Sequence, residues 1–85
     1  MPTISMFYGI LIRMYYDEHN PPHFHAIYND NKASFNFDGE IIGGNFPNKE
    51  TKLVQAWVLL HHDELKANWK LLEEKEKIFS IKPLE

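Results

Sequence analysis

The chain has 85 residues, with five His and no Cys. That length suits one domain over residues 1–85, and a domain this small buries only roughly 60–65% of the surface its unfolded chain exposes. Without Cys, disulfide scaffolds, thiolate metal sites and cysteine nucleophiles are excluded, so any metal must be held by His, Asp, Glu or backbone. Nine Lys and Arg against twelve Asp and Glu give a formal charge of −3, which argues against a general nucleic-acid coat but not against a local basic patch. No apolar run reaches the ~18 residues of a transmembrane helix, and the first residues lack a signal-peptide pattern, so the expected location is the reduced cytoplasm, with no membrane partner.

Residues 4–16 are rich in Ile, Met, Phe and Tyr, with Gly9 expected to mark a bend between two short strands. Ile10, Ile12, Met14 and Tyr16 share one face; Leu11, Arg13 and Tyr15 share the other. Both faces are largely apolar, as in a central strand. Asn20-Pro21-Pro22 then stiffens a loop, because each proline fixes φ and removes a backbone donor. Residues 23–28 read as a strand, Asn29-Asp30-Asn31 as a turn, and residues 32–37 as an alternating strand with Ala33, Phe35 and Phe37 on one face. Asp38-Gly39 signals a hairpin, and residues 40–46 form a weaker strand containing Gly43-Gly44.

After Pro47 the pattern turns helical. Asn48 is placed to cap a helix that runs to about residue 77 without Gly or Pro. Val54, Trp57, Val58, His61, Leu65 and Leu72 fall on one stripe. A run near 30 residues is long for a globular helix, so a kink is expected around His62-Asp63. Residues 78–81 read as a short edge strand. The expected fold is α+β: a meander of about four antiparallel strands over residues 4–46, packed on one long or kinked C-terminal helix over residues 48–77.

The stretch from Asp17 to His25 holds three His and two carboxylates around a Pro-Pro corner. On a strand, His23 and His25 project from the same face with Cβ atoms ~6–7 Å apart. That spacing suits two ligands of one metal or two imidazoles flanking a phosphate. His19 lies across the corner, and His61 sits on the apolar stripe of the helix. A shared site requires the His-bearing face of the strand to be the inner one. If Phe24, Ala26 and Tyr28 form the core face instead, His23 and His25 point outward, and periodicity leaves the two arrangements open. His62 is expected on the surface, and Asn68 as a partly exposed amide near the stripe. Trp57 and Trp69 are expected as core or partner-facing anchors.

The residues from Tyr15 to Ala26, the helix segment from Leu53 to Leu65 with Asn68-Trp69, and the tail Ile81-Lys82-Pro83-Leu84 together resemble a bacterial family of small proteins known as domain of unknown function 4160. The resemblance covers nearly the whole chain and places His19, His23, His25, His61 and Trp69 at matching positions. The family pattern has a basic residue after the helix His, where this chain has His62. The resemblance implies no established activity. It implies a small standalone cytoplasmic protein encoded beside another small protein, an arrangement like that of a toxin–antitoxin pair.

Three functions follow from these readings. In the first, His23 and His25, assisted by His19 or His61, perform general acid–base ribonuclease chemistry, with Arg13 or a Lys holding the phosphate of an RNA. In the second, His19, His23, His25 and His61 with Glu18 hold Zn²⁺ or another divalent metal. In the third, the sheet edge or the Trp-bearing helix binds a small protein encoded nearby, without catalysis. Oligomeric state is left open.

Overall fold

Two successive residues with positive φ, Tyr8 (50°) and Gly9 (77°), turn the first apolar stretch back on itself. Positive φ at both central positions is the signature of the tight hairpin turn that matches strand twist. In the computed structural model, which describes residues 3–16 and 19–85, this turn separates β1 (Thr3–Phe7) from β2 (Ile10–Arg13). The chain continues through β3 (His23–Tyr28), β4 (Asn31–Asn36) and β5 (Ile41–Gly44) to α1 (Asn48–Glu73). The sheet has five strands in the order β1-β2-β3-β4-β5, one more than expected because the bend at Gly9 is a full hairpin. Each strand is antiparallel to the next. At the β4–β5 turn, the Asn36 carboxamide oxygen accepts the backbone N–H groups of Asp38 and Glu40, while Gly39 takes φ 84°.

The inner face carries Phe7, Ile10, Ile12, Phe24, Ala26, Ala33 and Phe35, all buried. Phe24 stacks nearly parallel on Phe35 across β3 and β4, with ring centroids 5.6 Å apart. Trp57 of α1 meets Phe24 edge-on at 5.6 Å and Phe7 at 5.4 Å. Val54, Trp57, Val58, Leu65 and Leu72 are buried as the stripe requires. This packing decides the orientation of β3: Phe24 and Ala26 face the helix, so His23 and His25 do not.

Pro47, extended at φ −63° and ψ 148°, holds the N-cap position, with no side-chain cap. Asn48 therefore begins the first turn and does not cap it. The Pro47 carbonyl instead accepts both the Thr51 N–H and the Thr51 hydroxyl, each at 2.8 Å. The helix breaks at His61 (φ −125°, ψ 25°), one residue ahead of the expected kink. It ends at Glu73, several residues early. Lys75 adopts φ 58°, its N–H bonds the Leu72 carbonyl, and the Glu76 N–H bonds the Leu71 carbonyl. These paired bonds are a Schellman closure with Lys where Gly is usual.

The tail does not form the expected edge strand. Ile78 and Ile81 are buried, and the Ile81 N–H bonds the Ile4 carbonyl of β1 at 2.7 Å. Next to this contact, Asn68 takes the backbone groups that a strand neighbour would satisfy. Its amide donates to the Phe79 carbonyl at 2.8 Å and its oxygen accepts the Phe79 N–H at 3.0 Å. Asn68 is fully buried for that reason, contrary to the partly exposed amide expected. The Trp57 indole donates to the Lys82 carbonyl at 2.9 Å. Among the described residues no helix is long and apolar enough to cross a membrane.

Candidate functional site

Antiparallel register places side chains of neighbouring strands side by side on one face. On the outer face it aligns Thr3, Arg13, His25, Ser34 and Gly43 in a single row across all five strands. Arg13 Nε donates to the Thr3 hydroxyl at 3.4 Å. His25 Nδ1 and the Ser34 hydroxyl are hydrogen-bonded at 3.3 Å, in a direction set by the imidazole tautomer. The Tyr15 ring packs edge-on against His25, with centroids 4.7 Å apart.

His23 is the second imidazole of the face. Its ring lies 5.2 Å from that of His25 and 5.4 Å from the Trp69 indole, so it bridges the outer face and the end of the helix. Its Nδ1 is 2.7 Å from the Pro21 carbonyl. A carbonyl only accepts, so Nδ1 carries the proton of that bond and Nε2 is the acceptor nitrogen of the neutral ring. The Pro-Pro corner thus orients His23 through its backbone.

The row opens into a depression of ≈ 470 Å³, lined by Arg13, Tyr15, His25, Lys32, Ser34 and Gly43 among others. Arg13 and Lys32 are its cations, and no described lining residue is acidic. In a chain of net charge −3, these two cations give the described lining a cationic character that an anionic group can use.

His61 belongs to the other side of the molecule. Its ring lies 5.8 Å from Trp57, its Nδ1 is 2.6 Å from Glu64 Oε1, and it lines a depression of ≈ 400 Å³ with Leu60, Lys82, Pro83 and Glu85. Trp57 packs on the inner face of β3. The structure therefore brings His23 and His25 together and leaves His61 on the helix side, because alternation places Phe24 and Ala26 between sheet and helix. His19 is exposed, and the His62 side chain is 43% exposed, on the surface as expected. Glu18 lies outside the described residues. Among the described residues, no three His, Asp or Glu gather in a way that could hold a metal.

Tyr15, Lys32, Ser34 and Gly43 were not singled out for this site by sequence reasoning. The expected turn, Asn29-Asp30-Asn31, is one residue too long to pair His25 with Ser34, because Asn31 already belongs to β4. A two-residue turn at Asn29-Asp30 pairs Tyr28 with Asn31 and, three steps along, His25 with Ser34. A family model described as Domain of unknown function (DUF4160) matches residues 9–70, a span that contains Arg13, His23, His25, Ser34 and Gly43. No curated protein and no solved structure matches the chain.

Proposed function

The chain belongs to the DUF4160 family, whose name assigns no activity; from its own residues we propose that it cleaves single-stranded RNA, and from the family resemblance that it does so as one component of a toxin–antitoxin-type pair. The observation that carries the reading is the Arg13–His25–Ser34 row with a second imidazole, His23, 5.2 Å from His25. Cleavage by attack of a 2′-hydroxyl on its neighbouring phosphodiester needs a base for the hydroxyl proton, an acid for the 5′-oxygen that leaves, and a cation beside the phosphoryl oxygens. His23 and His25 share the first two roles. Arg13 supplies the third, and Ser34 orients the His25 ring.

The test is cleavage of a fluorogenic RNA oligonucleotide, with and without chelator. Replacing His23 or His25 by Ala is expected to slow cleavage by about 10²–10⁴-fold, with unchanged rates in chelator. Cleavage or growth inhibition that survives the double replacement overturns the proposal. Activity that vanishes in chelator favours a metal-dependent reaction instead.

A second reading has one observation in its favour. Leu59 and Leu60 are 83% and 68% exposed, side by side on α1. Adjacent exposed leucines suit a protein partner such as the neighbouring gene product. Co-purification that Leu59→Asp with Leu60→Asp abolishes, together with indifference to His replacement, favours this binding role over catalysis.

A further inference from the structure

The polar row ends on two glycines of β5 that are not equivalent. Gly44 has φ 79°, and a Cβ there would stand 2.3 Å from the Lys32 carbonyl oxygen, so the backbone itself requires glycine. Gly43 is not in the positive-φ region, and among the described residues a Cβ there would meet nothing within 4 Å. Neither conformation nor packing asks for glycine at position 43. Yet Gly43 is the register partner of Ser34 and lines the same depression as Arg13 and His25. A missing side chain leaves that end of the row open and flat.

We infer that Gly43 is the seat of the nucleobase: the depression takes a nucleotide whose phosphate lies at Arg13 and His25 and whose ring lies over Ser34 and Gly43. This rests on the RNA reading and specifies its substrate side. Neighbouring strands are ~4.8 Å apart, so Ser34 is one strand and Gly43 two strands beyond His25, the direction in which a nucleotide extends from its phosphate. Tyr15 and Arg13 close the opposite end. A side chain at position 43 projects into the open end and shortens the depression. The anion seat is two strands away and is left intact.

The experiment is a titration followed by NMR chemical shifts, using inorganic phosphate and uridine monophosphate as probes. The proteins are the wild type, Gly43→Ala and Gly43→Leu, with thermal midpoints confirming that each is folded. The wild type is expected to bind uridine monophosphate more tightly than phosphate. Gly43→Leu should weaken uridine monophosphate about tenfold or more and leave phosphate unchanged, with Gly43→Ala between. Should Gly43→Leu prove unfolded, the graded loss in Gly43→Ala carries the test alone. If the wild type binds phosphate but position 43 does not affect the nucleotide, or affects both probes alike, the base seat is overturned and the anion site stands. If the wild type binds neither probe, the anion site falls, and the base seat with it.

Discussion

The two faces of one sheet differ more than any two elements of this protein. Toward the helix, Phe24, Ala26, Ala33 and Phe35 are at most 4% exposed and belong to one buried cluster with Trp57, which Phe24 meets edge-on. Away from it, His25, Ser34 and Arg13 are half-buried polar groups around an open depression. The residues alternate one by one along the same strands. The strand period of two therefore assigns the buried core to one set and the candidate site to the other, and a single sheet carries both.

If that division is right, replacements on the inner face cost far more stability than those on the outer face. Phe24→Ala removes a fully buried ring from contact with Phe35 and Trp57. It is expected to cost about 3–5 kcal/mol in urea unfolding, a large share of what so small a domain has. His25→Ala should change stability by less than about 1 kcal/mol. A cost for His25→Ala comparable to that of Phe24→Ala would break the comparison.

Next in size is the clasp between helix and tail. Asn68→Ala strands both backbone groups of Phe79 and is expected to cost about 2–3 kcal/mol. Faster amide exchange at Phe79 and Ile81, ahead of the sheet, would localise the loss to the tail. Uniform acceleration across the molecule would show that the clasp is part of the core instead.

Glycine replacements sharpen the contrast within β5. Gly44→Ala meets both a positive φ and the Lys32 carbonyl, and it should cost about 1–3 kcal/mol. Gly43→Ala is expected to stay within about 0.5 kcal/mol of the wild type by the same unfolding measurement. Equal costs would remove the distinction on which the nucleobase seat depends. The smallest effect is expected at Leu59→Asp, which removes an 83% exposed side chain and should leave the unfolding midpoint unchanged.

Much of the architecture was readable in advance because its signals are local. Gly9, Asn29-Asp30-Asn31 and Asp38-Gly39 place the turns to within a residue, and the stripe from Val54 to Leu72 places the helix. The errors share a cause, since each concerned a group whose partner lies far along the chain or depends on one residue's dihedral angles. Asn48 was expected as a cap, but Pro47 occupies that position and Thr51 bonds its carbonyl. Asn68 was expected as a partly exposed amide because Phe79, eleven residues on, could not be seen as its partner. Residues 78–81 have strand composition, but Asn68 takes the Phe79 backbone and only Ile81 reaches β1.

By itself the sequence determined that, with five His and no Cys, any metal must be held by His, Asp, Glu or backbone. It also determined that His23 and His25 share one face of a strand, because alternation is a local property of extended backbone. Which face is inside was decided only in three dimensions. Phe24 meets Phe35 across the sheet and Trp57 on the helix, Ala26 is buried opposite Ala33, and burying those surfaces outweighs any arrangement that buries two imidazoles in their place. That choice turned His23 and His25 outward, set Arg13 and Ser34 beside His25, and left His61 with Trp57 and Glu64 on the helix side.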